Sequence, residues 1–169
     1  TVLNKHKRNL QINIANEWHG TWANRAEGGK KWYRAYKEQL SRLRAAGLEH
    51  QFIIDTCGWG QDPSCIYNYG EQLLEFDPNI AFSVHVYDSL GKNKDNLTKM
   101  YAFVREKKLP FIVGEFASTH YGKNVEWQTV IDESTKKDSQ YGFIAWSWSG
   151  NSSSLKSLDI ISRSEFGRD

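Results

Sequence analysis

Two glutamates stand where chemistry could be done. Glu17 ends the apolar run "QINIANE" (11–17) and Glu115 lies near the end of "PFIVGEF" (110–116), each an ionisable side chain in a stretch otherwise suited to burial. Paired carboxyls on separate strands meet the needs of glycosidic bond cleavage: one protonates the leaving oxygen, and the other attacks the anomeric carbon or activates water. Strands about 4.8 Å apart can set such groups at the roughly 5 to 5.5 Å that suits a retaining mechanism. His85 and Tyr87, two residues apart in "AFSVHVY" (81–87), share one face of a third strand. A single glutamate at a strand end reads more simply as a cap or an ion pair; two of them beside a His–Tyr face outweigh that reading. A tyrosine hydroxyl donating to one carboxylate keeps it ionised as a nucleophile, while a drier, tryptophan-lined setting keeps the other protonated as an acid.

Other chemistries fit less well. His6, His19, His50, His85 and His120 are scattered, with no HExxH or paired-ligand spacing, so no metal site is expected. No serine sits in a GxSxG turn and no glycine-rich phosphate loop follows a strand, so no cofactor is expected either. Cys57 precedes a Gly-Trp-Gly turn with no evident base and reads as structural. Cys57 and Cys65 flank "GWGQDPS" and could close a small disulfide loop, although two reduced thiols at this spacing would look the same. Asp55 ends "HQFIID" and is expected to orient neighbouring groups. Seven Trp, eight Tyr and eight Phe are many for 169 residues, and the tryptophans of "EWHGTW", "GWGQ" and "WSWSG" keep polar company. Aromatic faces outside a core commonly stack on flat partners, with sugars, bases and proteins as candidates.

The elements that must position these residues form an alternating pattern. Five apolar runs, at 11–17, 50–55, 81–87, 110–116 and 142–148, are nearly continuous and rich in β-branched and aromatic residues, as strands covered on both faces are. Between them Trp32, Tyr36, Leu40 and Leu43 fall at helical spacing ahead of Gly47. A shorter helix in "IYNYGEQLLEFDPN" ends at Asp77 and Pro78; Leu97, Met100, Tyr101 and Val104 mark a third helix, and Trp127, Val130 and Ile131 a fourth. Strand and helix in alternation predict an α/β fold with a parallel sheet and right-handed crossovers, read as a single domain over 1–169. The carboxyl ends of such strands share one rim, and polar residues end every one of the five runs.

Composition sets the outer bounds. With 39% apolar and 25% charged residues the chain suits an ordinary globular domain, and its formal charge of +2 is spread without a basic stripe, so nucleic acid is not an expected partner. No apolar stretch approaches the roughly 20 residues of a membrane span, and no signal peptide opens the sequence. Asn-x-Ser/Thr triplets at Asn96 and Asn151 lean weakly toward export.

The strings "INIANEWHGTW", "DTCGWGQDP", "FSVHVYD", "IVGEF" and "AWSWSGN" resemble glycoside hydrolase family 5 of clan A, and more particularly its bacterial-type endo-β-1,4-mannanases. The likeness runs through almost the whole chain in order and spacing. It implies Glu17 as general acid/base, Glu115 as nucleophile, Asn16 on the sugar 2-hydroxyl, and Tyr87 holding Glu115. It implies further that His85 lines the same subsite, that Trp146 is the platform under the sugar, and that Trp18, Trp59 and Trp148 flank it, core packing being an equal alternative for these three. Members of the family are (β/α)8 barrels that carry the acid/base on the fourth strand and the nucleophile on the seventh. The chain therefore resembles the C-terminal five βα units, with residues 1–10 as the tail of a preceding helix. The first three strands, with the arginine and histidine they supply, would come from a missing N-terminal segment or a second chain. The implied parent is a secreted, retaining endo-β-mannanase acting on β-mannan or a related polysaccharide, and the segment alone is expected to have little activity. An endo-β-1,4-glucanase, an inactive carbohydrate-binding relic and, least of all, a protein-interaction module are the alternatives.

Overall fold

A computed structural model describes residues 2–25, 27–139, 141–159 and 161. The strands and helices alternate as β1 (Gln11–Asn13), α1 (Gly28–Ala45), β2 (Gln51–Asp55), α2 (Ser64–Phe76), β3 (Ile80–Val86), α3 (Lys94–Glu106), β4 (Phe111–Phe116), a short hairpin of β5 (Thr119–His120) and β6 (Lys123–Asn124), α4 (Trp127–Ser134) and β7 (Gly142–Ala145). The larger sheet has the order β1-β2-β3-β4-β7, and β2 runs parallel to both β1 and β3, with Gln11 opposite Gln51 and Phe52 opposite Ile80. This is the expected α/β alternation. Among the described residues no helix is long and apolar enough to cross a membrane. The chain divides into two compact units, residues 1–84 with 103–112 and residues 85–102 with 113–169, and the divisions fall inside β3, α3 and β4.

In the first unit, α1 buries Trp32, Tyr36 and Leu40, the predicted 3.6-residue stripe. Trp32 donates its indole N–H to the Asp55 carbonyl at 2.8 Å, which ties the helix to the end of β2. The helix stops at Gly47, whose φ of +81° lies in the left-handed region that ends helices and suits glycine. Arg44 in its last turn grips Asp77 through two bonds of 2.8 and 3.1 Å, donates to the carbonyls of Leu48, His50 and Asn79, and lies 4.4 Å over the Phe52 ring. One side chain thus fixes the end of α1, the start of β2 and the turn before β3. Phe52 and Ile54 of β2 are wholly buried.

In the second unit, Tyr101 of α3 is buried, and its hydroxyl donates to the Val130 carbonyl at 3.3 Å and pairs with Ser134 Oγ at 2.7 Å, which seats α4. The indole-bearing end of β7 is held by a bond from Trp146 N–H to the Phe116 carbonyl, 2.8 Å.

Several expectations are corrected in detail. The first run is a strand over only three residues, because the Asn13 carboxamide oxygen accepts the Ala15 N–H at 3.0 Å and turns the chain before Glu17. Residues 3–6 form a short 3₁₀ turn. β3 is buried along its whole length, as expected of a covered strand, whereas β7 is exposed at all four positions and β1 at two of three. These two are the outer strands of the sheet order, where the further strands expected of the parent protein would lie, so their exposure does not correct the expectation of covered strands. Trp127, placed on an apolar helical stripe by spacing, is largely exposed at the start of α4.

Candidate active site

In the first unit the segment after β1 carries Asn16, Glu17 and Trp18. Glu17 has a backbone φ of +49°, a region that disfavours side chains with a Cβ. The conformation is held by Asp55, which is buried at the end of β2: one carboxylate oxygen accepts the Glu17 N–H at 3.0 Å and the other accepts the Asn13 side-chain amide at 3.1 Å. Asp55 therefore orients its neighbours, as the sequence suggested. Its charge and the surrounding burial push the Tyr36 hydroxyl well above its ordinary pKa, burial being the larger cause, so Tyr36 stays a neutral phenol.

Trp18 stacks on His19 at 5.0 Å and meets Tyr36 edge-on at 5.9 Å. Burial pushes the His19 pKa down, so that imidazole is mainly neutral near pH 7. Trp59 stands on a tight loop in which Gly58, Trp59 and Gly60 all have positive φ, +62°, +53° and +73°. That loop is braced from below. Cys57 and Cys65 are bonded in a disulfide, which resolves the open alternative, and Cys57 bridges Asp62 in antiparallel fashion. The Asp62 carboxylate accepts from the backbones of Ala23 at 2.7 Å and Ser64 at 3.0 Å, while Thr56 Oγ1 donates to its carbonyl at 2.6 Å.

In the second unit the His–Tyr face meets its glutamate. The Tyr87 hydroxyl donates to Glu115 Oε2 at 2.6 Å, and His85 Nδ1 lies 3.6 Å from the same oxygen. His85 is fully buried and the Glu115 side chain is 12% exposed, so the bond is made in a place largely screened from solvent, where a hydrogen bond to an ionised carboxylate is strong. The period-two spacing of His85 and Tyr87 thus delivers both side chains to one carboxylate.

Trp146 lies at the end of β7, after which the Trp146–Ser147 peptide is cis. Its indole N–H donates to Asn151 Oδ1 at 3.1 Å; the Asn151 amide in turn donates to Asp159 Oδ1 at 2.6 Å and Ser147 Oγ at 2.9 Å. Asn151, read from sequence only as a glycosylation triplet, is thus a clamp on the Trp146 indole. The backbone and side-chain N–H groups of Asn151 hold the Asp159 carboxyl below its usual range, the backbone bond contributing most. Trp146 also lines an open cleft of about 310 Å³ with Phe116, Trp127, Ile131 and Leu158. Trp18, Trp59, Trp146 and Trp148 are 49%, 52%, 41% and 62% exposed in this chain.

Parallel strands separated by helices, with carboxylates and indoles at the strand ends, put the chain in the (β/α)8 class of α/β proteins, of which it represents a part. The sequence model described as cellulase, glycosyl hydrolase family 5, matches residues 1–152, and the chain belongs to that family. It is 36% identical over 151 residues to a mannan endo-1,4-beta-mannosidase of Salipaludibacillus agaradhaerens, covering 88% of this chain and 47% of that protein. Among solved structures, the beta-mannanase from Thermomonospora fusca matches with a TM-score of 0.85 at 32% identity, over 95% of this chain and 52% of that one. The mannohexaose complex of the same Thermomonospora fusca enzyme matches at 0.82 and 32% identity, over 95% and 51%. The chain spans about half the length of these relatives.

Proposed function

We propose that the parent protein is a retaining endo-β-1,4-mannanase, with Glu115 as nucleophile and Glu17 as general acid/base. In the first step a Glu115 carboxylate oxygen attacks the anomeric carbon while Glu17 gives its proton to the leaving glycosidic oxygen. In the second, water attacks that carbon, Glu17 takes the water proton, and the glycosyl–Glu115 ester breaks. No cofactor takes part. The observation that carries the reading is the 2.6 Å bond from Tyr87 to Glu115 Oε2, with His85 beside it, because it favours the ionised carboxylate a nucleophile must be. Likeness to beta-mannanases over nearly the whole chain supports β-mannan, glucomannan or galactomannan as substrate.

Asn16 would bond the 2-hydroxyl, His85 would line the same subsite, and Trp146, fixed by Asn151, would underlie the sugar ring, with Trp18, Trp59 and Trp148 as flanking contacts. Residues 1–169 would form one partial catalytic domain, completed by a segment or chain that supplies the first three strands. The Cys57–Cys65 disulfide suits an oxidising compartment and supports secretion. Reducing-sugar release by the parent protein from mannan and from carboxymethylcellulose tests the activity. Turnover of mannan is expected, and turnover of carboxymethylcellulose alone would make it the glucanase that the family description also admits.

A further inference from the structure

The second unit contains a chain of contacts behind Tyr87 that the reaction as described does not use. Asp88 follows Tyr87 directly. One of its carboxylate oxygens is bonded to His120 Nδ1 at 2.7 Å, and the other accepts from Lys123 Nζ at 2.7 Å. His120 and Lys123 are opposite residues of the β5–β6 hairpin, whose two-residue turn has Tyr121 and Gly122 at φ +48° and +75°. Positive φ at both positions is the signature of a tight hairpin turn that matches strand twist, and it fixes where the His120 side chain is presented. The His120 ring lies against the Tyr87 ring with centroids 4.7 Å apart and planes only 28° from parallel. On its other side His120 meets the Tyr121 ring at 4.4 Å. His120 and Asp88 are both mostly buried.

We propose that His120, held by Asp88, is a positioning residue for Glu115 that acts through the Tyr87 ring. The Tyr87 oxygen lies on the χ2 axis, so χ1 sets where it stands while χ2 sets the ring plane in which its O–H prefers to point at Glu115 Oε2, and the broad ring torsion of tyrosine does not lock that plane by itself. A flat imidazole face against the phenol does, provided the imidazole cannot turn; the bond from His120 to Asp88 removes that freedom. Because Asp88 is the residue after Tyr87, the anchor and the ring it steadies share one backbone. The hairpin, which begins four residues after Glu115 in "FASTHYGKN", is thus a brace between the end of β3 and the end of β4. This inference rests on the reading of Glu115 as the nucleophile.

The test compares wild-type parent protein with His120→Ala, His120→Phe and Asp88→Asn. Two readouts are used: turnover of mannohexaose, and the ¹³Cζ resonance of labelled Tyr87, which reports the hydroxyl's bond without requiring activity. His120→Ala should lower kcat by about 10- to 100-fold, the scale expected when a reacting group is misplaced by an ångström, with KM changed by less than about threefold. His120→Phe, which keeps a flat face but loses the bond to Asp88, should recover part of kcat, and Asp88→Asn, which keeps the imidazole face and one acceptor oxygen, should lose less than His120→Phe. The Tyr87 resonance should move toward that of solvated tyrosine in His120→Ala and stay near its native value in His120→Phe. An unmoved Tyr87 resonance in His120→Ala, or a loss that falls on KM alone, overturns the proposal. If His120→Ala does not fold, a near-native Tyr87 signal in His120→Phe together with a measurable, smaller loss of kcat in Asp88→Asn supports the ring-face account, and a displaced signal in His120→Phe or wholly native behaviour of Asp88→Asn refutes it. Absence of mannohexaose turnover in the wild type would instead count against the functional reading, while the Tyr87 resonance would still decide the positioning role.

Discussion

The two glutamates show different kinds of contact, one at the backbone and one at the carboxylate. Glu17 is fixed through its backbone: Asp55 accepts its N–H and the neighbouring Asn13 amide, and the residue sits at φ +49°. Glu115 is fixed through its carboxylate, which receives the Tyr87 hydroxyl and faces His85. The difference matches the roles proposed for them. For Glu17, proposed as the acid/base, the bond from its N–H to Asp55 sets where the residue stands. A nucleophile must stay ionised and aimed, so the grip falls on the reacting oxygens themselves.

Substitutions can break this comparison in order of expected size. Glu17→Gln removes the proton donor and should lower kcat on mannan by about 10²- to 10⁴-fold, the usual share of general acid–base catalysis, as measured by steady-state turnover of the parent protein. Tyr87→Phe removes a hydrogen bond to a charged group, worth about 1.5 to 3 kcal/mol, and should cost roughly 10- to 100-fold in kcat while leaving the Glu17 segment as it is. Asp55→Ala acts on the other side. It leaves the Glu17 N–H without this acceptor and should cost about 1 to 3 kcal/mol of unfolding free energy by urea titration, with a kcat loss smaller than that of Glu17→Gln. If Asp55→Ala and Tyr87→Phe alter the same kinetic step by the same factor, the contrast between backbone and carboxylate grip is lost.

The smallest effect concerns pH. The bond from Lys123, and secondarily that from His120, hold the Asp88 carboxyl below its usual range. A carboxyl depressed in the folded state adds stability that is present above its unfolded pKa of about 3.9 and is lost as pH falls through the folded value. The thermal midpoint of wild type should therefore exceed that of Asp88→Asn at neutral pH and converge on it below about pH 4. A gap that stays constant down to the acid limit would remove the charge on Asp88 as its cause.

How much of this was legible in the residues follows from the same contrast. His85, Tyr87 and Glu115 could be read because strand periodicity alone puts a polar pair on one face of an apolar run and a carboxylate at the end of another. The role of Asp55 could be read because a charged residue closing a buried strand needs partners nearby. The αL turn at Glu17 could not, since it depends on the Asx turn at Asn13 and on Asp55, 38 residues further on. The β5–β6 hairpin escaped notice because two-residue strands have no measurable period and Tyr-Gly is a weak turn signal beside Asn-Gly. Asn151 shows in sequence only a glycosylation triplet, because its service to Trp146 and Asp159 is made by the fold. The continuous apolar runs suggest strands covered on both faces; β3 is one, and β1 and β7 stand at the ends of the sheet order of a chain that spans about half the length of its relatives.

The central claim is that Glu115 becomes covalently bonded to the sugar, and it can be tested by trapping. Parent protein treated with a 2-deoxy-2-fluoro-β-mannosyl donor, then digested and sequenced by mass spectrometry, should carry the glycosyl adduct on the peptide that contains Glu115, and Glu115→Gln should carry none. An adduct on Glu17, or turnover of mannan with inversion at the anomeric carbon, would contradict the account.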